Sequence, residues 1–169
     1  MRKVTTYIIC DHTIALIPIE NGFTKIVTIN EELYCTKSTI DIIKESYFQG
    51  NAFSEYRRTA ILEMPSFSQR APIPIKPHEN LYFIPSHNPY NGECVWISYH
   101  HIKKVISIRS NYTLIIFGNY LVIRISVSAD IIKDQLHKMT TNQRRWSSAN
   151  KLSLWLDPLD RKVSKNEAE

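Results

Sequence analysis

Residues 102–127 have the sequence IKKVISIRSNYTLIIFGNYLVIRISV, and this stretch decides the fold class of the chain. Three runs rich in β-branched residues, IKKVISIR, YTLIIF and YLVIRISV, are separated by Ser110-Asn111 and by Gly118-Asn119. Dipeptides of this composition are typical of two-residue hairpin turns between strands. The pattern therefore predicts a three-stranded antiparallel meander.

An amphipathic helix is predicted directly after the meander, with Ser128 as its N-cap. Its sequence, ADIIKDQLHKM, places one mostly apolar stripe on a single face: Ile131, Ile132, Gln135, Leu136 and Met139. That face should lie on the sheet. Beyond the helix the periodicity is lost, and residues 156–169 form a charged run without aromatics that we expect to be disordered.

Upstream of the meander, prolines alternate with aromatic and aliphatic residues over 70–101. Pro72, Pro74 and Pro77 lack the N–H that an interior strand needs, so this part should be an edge strand or a crossing segment. LYFIP and CVWIS that follow are predicted to be buried strands. His100 and His101 are expected to finish the second of them.

The N-terminal third predicts a strand in VTTYII, then a hairpin whose strands are joined at Asn21-Gly22. Ser38 to Asp41 fits a capping box and Gly50 fits a C-cap, so a helix of about three turns should lie between them. Residues 51–60 fit either a loop or a short helix, and TAILEM fits a further strand ending before Pro65.

These elements predict an α+β protein that is mainly antiparallel β, with two helices covering an antiparallel sheet or a partly closed barrel. A chain of 169 residues is long enough to bury roughly two-thirds of its unfolded surface. There is no internal repeat. We expect a single domain over residues 1–155, followed by the charged tail at 156–169.

Net charge and cysteine usage restrict the partners and the compartment. The chain carries a formal charge of +5, with a pI near 9.1, which favours an anionic partner. Its three cysteines form no CxxC pair and suit a reducing cytoplasm. No apolar run approaches the roughly 20 residues of a spanning helix, so no membrane association is expected.

Motifs for catalysis, metals or cofactors are missing from the sequence. HExxH, GxSxG, a zinc-finger spacing and a glycine-rich phosphate loop are all absent. His100 and His101 should point to opposite faces of a strand and so cannot chelate one ion together. A Cys94–His100 thiol–imidazole pair is conceivable, but a buried structural Cys94 is the stronger reading. We expect no enzyme activity and no cofactor.

Basic residues near hydrogen-bonding and aromatic side chains are the candidates for contact with double-stranded DNA. Arg57 and Arg58 follow Gly50, and Arg144 and Arg145 lie just past the predicted last helix. Arginine pairs on mobile or extended segments suit a narrow A·T-rich minor groove, although each pair could equally be a solvent-facing turn.

Lys103 and Lys104 are weaker candidates. On a regular strand one of the two must face the covered side of the sheet or snorkel. The strands of the sheet could nonetheless present the basic surface.

Four segments in this order resemble the ComK family of competence transcription factors: IIKESYFQGNAFSEYRRTA, APIPIKP, LYFIPSH and CVWISYHHIKK. They run from Ile42 to Lys104. The resemblance implies a DNA-binding activator of the genes for DNA uptake that reads A·T-rich boxes through the minor groove. It also implies homodimers or tetramers, and control by an adaptor of an ATP-dependent protease.

Two alternatives to this function stay open at the level of sequence. The C-terminal region is shorter than is typical of that family, which would suit a non-enzymatic β-rich interaction or regulatory module that has lost DNA binding. A small cytosolic enzyme would instead bring Cys94 together with one of the histidines.

Overall fold

The computed structural model describes residues 2–50, 70–76 and 79–146, with side chains described as far as residue 139. These residues form two helices, α1 (Thr39–Gly50) and α2 (Ala129–Trp146). The strands are β1 (Arg2–Val4), β2 (Thr13–Pro18), β3 (Thr24–Thr28), β4 (Glu32–Cys35), β5 (Ile73–Lys76), β6 (Leu81–Pro85), β7 (Trp96–Ser98), β8 (Ile102–Arg109), β9 (Tyr112–Phe117) and β10 (Val122–Ile125). The predicted class, α+β and mainly antiparallel, is confirmed, with two sheets and no closed barrel among the described strands.

The larger sheet has seven strands in the order β1-β4-β3-β2-β7-β6-β5. Among the described strands of this sheet, β1 and β4 pair in parallel and the other neighbours are antiparallel. The proline-containing strand β5 lies at one edge, as predicted, because Pro74 has no N–H to donate to a second neighbour. The predicted strands LYFIP and CVWIS form β6 and β7 in the interior of this sheet.

The central strands of the seven-stranded sheet are covered on both faces because their side chains alternate between two apolar clusters. At one edge, β1 and one face of β4 are partly exposed. On one side α1 packs on side chains that include Leu16, Phe83 and Trp96. On the other, β8 to β10 and α2 cover a cluster that includes Ile84 and Ile97. The result is three layers, with the seven-stranded sheet in the middle.

Local signals in the N-terminal third are largely confirmed. Asn21 and Gly22 both take positive φ, 63° and 74°, as the predicted turn requires. The backbone N–H of Asp41 donates to Ser38 Oγ at 3.2 Å, which caps α1. The strand predicted in VTTYII, residues 4–9, is largely wrong, because only Val4 of that run lies in β1 and residues 6–10 have no regular secondary structure. β1 instead pairs with β4, a strand that the sequence pattern had not indicated.

The C-terminal meander forms the second sheet, in the order β10-β9-β8, as predicted. The predicted helix after it is confirmed, but α2 continues to Trp146, past the point where the apolar periodicity ends. His100 and His101 do not finish a strand. They lie in a 3₁₀ turn, Tyr99–His101, where His101 Nε2 is 2.6 Å from the carbonyl oxygen of Asp11.

Several predicted features lie outside the described residues. They are the loop or short helix at 51–60, the TAILEM strand, Pro77 and the tail at 156–169. The described part of α2 still anchors the start of the 70–76 segment. Gln135 Nε2 and Lys138 Nζ both donate to the carbonyl oxygen of Arg70, at 2.9 and 3.1 Å.

Candidate nucleic-acid interface

Among the residues that the structure describes, the three-stranded sheet is covered on one face only. In β9 the side chains of Thr113, Ile115 and Phe117 are buried, whereas those between them are half-exposed. The antiparallel register places the matching residues of β8 and β10 on the same open side. We call this side the outer meander face, and it comprises Lys103, Lys104, Ile106, Arg109, Tyr112, Leu114, Ile116, Tyr120, Val122 and Arg124.

A β-bulge lets both predicted lysines avoid the core. Ile102 pairs with Phe117 and Lys104 pairs with Ile116, so Lys103 is an extra residue on β8. Lys103 is exposed and Lys104 is half-buried on the outer face. The expectation was that one lysine faces the covered side or snorkels. Neither faces the covered side, because the bulge interrupts the two-residue alternation on which that expectation rested.

Arg124 of β10 is held over the ring of Tyr112, the first residue of β9. Its guanidinium carbon lies 4.2 Å from the centroid of the Tyr112 ring. Arg124 pairs with Leu114, so Tyr112 is its diagonal neighbour on the next strand, which is within reach of long side chains. Stacking restricts the planar guanidinium while leaving its edge N–H groups free to donate.

Lys103 is likewise held over an aromatic ring, that of Tyr120, which lies just after the C-terminal end of β9. Its ammonium nitrogen lies 4.5 Å from the centroid of the Tyr120 ring. Tyr120 belongs to the turn between β9 and β10, which is tied to the start of β8 by a hydrogen bond from Gly118 N to His101 O at 3.0 Å. The two cations thus occupy fixed places on the open face.

Aliphatic side chains fill the middle of the outer meander face. Ile106, Leu114 and Ile116 are half-exposed, and Val122 is 50% exposed. The three strands supply no negative charge themselves, because the sequence has no carboxylate between Glu93 and Asp130. An apolar centre with basic groups around it and no acidic residue is suited to an anionic, partly apolar surface.

The arginine pairs predicted from sequence are not brought together by the described structure. Arg57 and Arg58 lie outside the described residues. Arg144 and Arg145 do not lie past the last helix, because α2 includes both. The loss of apolar periodicity was a poor guide to the end of this helix, because polar residues can continue a helix as well as apolar ones do.

Sequence reasoning missed Tyr112, Tyr120 and Arg124 as site residues. Arg124 was visible as a charge in a predicted strand, and the two-residue alternation of the meander would have put it on the same face as Leu114. Its pairing with Tyr112 depends on the register between β9 and β10. The bulge that exposes Lys103 left no signal that we recognise in the sequence.

Cys94 is placed as a structural residue. Its thiol donates to the carbonyl oxygen of His87 at 3.3 Å, and burial raises its pKa to about 11. The imidazole ring of His87 pairs with the hydroxyl of Ser86 and not with the Cys94 thiol, with Nδ1 and Oγ 2.8 Å apart. The pKa of His87 is lowered chiefly by burial. A protonated thiol bonded to a main-chain carbonyl is not an activated nucleophile.

Two further searches of the described residues gave negative results. No group of three His, Cys, Asp or Glu side chains is placed to hold a metal ion in 2–50, 70–76 or 79–139. Neither helix of the described structure has the length and apolar character needed to cross a bilayer.

An α+β protein with a basic, carboxylate-free sheet face fits the class of nucleic-acid-binding regulators. Comparison with known proteins agrees with this class. Residues 4–151 match the family described as ComK protein, and the chain belongs to that family. No solved structure matches the chain significantly.

A curated relative gives the family match a functional context. Over 130 residues the chain is 24% identical to a protein named competence transcription factor from Bacillus subtilis (strain 168), which covers 75% of this chain and 67% of the relative. That name is the name of a transcription factor and not of an enzyme.

Proposed function

We propose that this chain, like its curated relative, is a competence transcription factor, and that it binds double-stranded DNA through the outer meander face. The observation that carries the proposal is the combination of Lys103, Lys104 and Arg124 around exposed aliphatic side chains, in a stretch without any carboxylate. Cations supply the sequence-independent attraction to phosphates. The open sheet supplies a surface that can enter a groove.

The aliphatic centre favours the minor groove and A·T-rich sequences. Sheet and architectural proteins that bind there press apolar side chains against the base edges while basic residues contact the flanking phosphates. A·T-rich DNA has a narrow minor groove with enhanced negative potential, which attracts arginine. Ile106, Leu114 and Val122 would meet the groove floor, with Arg124 and Lys103 towards the two phosphate walls.

Arg57, Arg58, Arg144 and Arg145 remain proposed DNA contacts in this scheme. They would extend the interface beyond the meander, and Arg144 and Arg145 would do so from the C-terminal end of α2. A homodimer or tetramer would allow paired boxes to be read together, since two-fold protein symmetry matches paired half-sites. We further propose a cytoplasmic location, and control by an adaptor of an ATP-dependent protease as the family resemblance implies.

Equilibrium binding to a labelled duplex with two spaced A·T boxes tests the proposal. Affinity should fall steeply with salt concentration, and a G·C-rich duplex of equal length should bind more weakly. A minor-groove ligand such as netropsin should compete. Equal affinity for both duplexes would contradict the reading of A·T boxes while leaving general DNA binding intact.

The location of the interface is tested by two variants with the same change in charge. Replacing Lys103, Lys104 and Arg124 with Ala should lower the slope of log affinity against log salt by about 3, roughly one for each lost phosphate contact. The control replaces Arg2, Lys25 and Lys37 with Ala. These three are paired with Glu31, Glu32 and Glu45, and their loss should leave the slope near that of the wild type.

Two other outcomes would change the assignment. If only the double variant Arg57→Ala/Arg58→Ala loses affinity, the meander is not the interface. If the wild-type chain binds no DNA but forms a stable complex with a protease adaptor, the alternative of a non-enzymatic interaction module is favoured instead.

A further inference from the structure

Tyr120 has a backbone conformation that is unusual for its residue type. Three non-glycine residues of the described chain have positive φ: Asn21, Asn80 and Tyr120, the last at 66°. Asparagine tolerates this region because its short side chain can bond locally, whereas a bulky side chain there is an outlier. The turn itself would be served at least as well by Gly or Asn at position 120.

Burial does not explain the tyrosine. Its side chain is 75% exposed, which is the highest exposure among the large hydrophobic residues described. The turn is held by hydrogen bonds that do not involve the Tyr120 side chain: Phe117 N donates to Leu121 O and Tyr120 N donates to Phe117 O, both at 2.9 Å, and Leu121 N donates to Asn119 Oδ1 at 3.1 Å. What the ring does contact is the ammonium group of Lys103.

We propose that Tyr120 is a positioning residue, which holds the Lys103 ammonium on the outer meander face so that its N–H groups point to a DNA phosphate. This inference rests on the proposed function. A lysine on a flexible stem loses rotamer freedom when it binds, and a ring that already restricts it reduces that loss. Backbone strain of this kind is concentrated at functional sites, where the surrounding structure imposes it.

Opposite changes in stability and in binding distinguish this role from a structural one. Tyr120→Gly relieves the positive φ, so its melting temperature should be no lower than that of the wild type. Its Kd for the A·T duplex should nevertheless rise by about two- to five-fold, because the freed Lys103 side chain then loses part of its rotamer entropy on binding. Tyr120→Phe keeps the ring and should bind as the wild type does.

A matched control is available on the other side of the seven-stranded sheet. Tyr90 is 58% exposed, and Lys44 Nζ lies 5.1 Å from its ring centroid and 2.8 Å from its hydroxyl oxygen. Lys44 belongs to α1, away from the meander. Tyr90→Ala should therefore leave the Kd for DNA unchanged, although it removes a tyrosine–lysine contact of the same kind.

A double-mutant cycle with Lys103→Ala completes the test. If Tyr120 acts through Lys103, Tyr120→Gly should have no further effect on Kd in the Lys103→Ala background. A full additional loss there would mean that the ring contacts DNA itself and would overturn the positioning role, as would wild-type affinity in Tyr120→Gly alone. A wild-type chain that binds no duplex at any salt concentration overturns the proposed function, and this inference with it.

Discussion

The two sheets of this protein have opposite surroundings. The seven-stranded sheet is covered on both faces at its centre, where the interior strands β6 and β7 are buried at every residue. The three-stranded sheet is covered on one face, and on the other it exposes cations, tyrosines and aliphatic side chains. Both consist of β-branched and aromatic strands, so the distinction lies in what each strand face contacts and not in composition.

This difference separates residues that maintain the fold from residues available for binding. A large side chain in β7 has no solvent to face, whereas one in β9 meets the core or the solvent according to its register. Substitutions of buried residues in the seven-stranded sheet should therefore change stability. Substitutions on the outer meander face should change binding with little effect on stability.

The largest effect should come from Trp96→Ala. Trp96 is fully buried in the cluster beneath α1, and removing its indole should lower the free energy of unfolding by about 3–5 kcal/mol. The matched change on the other sheet is Leu114→Ala, which truncates a half-exposed side chain and should cost well under half as much. Urea denaturation followed by circular dichroism measures both. Equal losses would mean that the outer meander face is buried in solution.

A second prediction concerns the close approach of α1 to β5. A Cβ added at Gly50 would lie 2.3 Å from the carbonyl oxygen of Ile75, which is backbone and cannot rotate away. Gly50→Ala should therefore destabilise the protein by about 1–3 kcal/mol through overpacking. Gly92→Ala is the control, because nothing lies within 4 Å of its added Cβ. A neutral Gly50→Ala would show that the edge strand β5 moves freely relative to α1.

Arg124→Ala should have a smaller effect, and it should be confined to binding. Loss of one phosphate contact lowers the salt slope by about 1, with thermal stability close to that of the wild type because Arg124 is exposed. Lys25→Ala, at a half-buried lysine paired with Glu32 in the larger sheet, is the control. An Arg124→Ala variant with an unchanged slope would remove this end of the meander from the interface.

The fold was more predictable than the site, for a physical reason. Turn dipeptides, prolines and the Ser38 cap act within a few residues of themselves, so the hairpin, the meander and both helices could be recognised from sequence. The pairing of β1 with β4 joins segments that are distant in the chain, and no local pattern records it. Long-range pairing is decided by tertiary burial.

The candidate site combines a local and a non-local part. Lys103 and Lys104 were recognised as charges, yet their exposure depends on a bulge in the pairing between β8 and β9. The Arg124–Tyr112 contact likewise depends on the register between β9 and β10. An arginine pair is visible in a sequence, whereas a cation held over a ring from another strand becomes visible only once the register is known.

The smallest effect should be the pH-dependent contribution of the thiol of Cys94, a buried residue just before β7. Its pKa in the folded protein is about 11, against an ordinary value of 9.0. Below pH 9 the thiol is protonated in both states, so its full contribution to stability is present. Between pH 9 and 11 the unfolded thiol ionises first, and the free energy of unfolding should fall.

Cys94→Ala leaves a cavity whose cost is the same at each pH, but it should reduce the difference in unfolding free energy between pH 8 and pH 10. Burial also raises the pKa values of Tyr7, Tyr82 and Tyr99, so part of the fall at higher pH should persist in the variant. An identical fall in both proteins between pH 8 and 10 would mean that solvent reaches the thiol, and that the larger sheet is less completely covered than its two apolar clusters indicate.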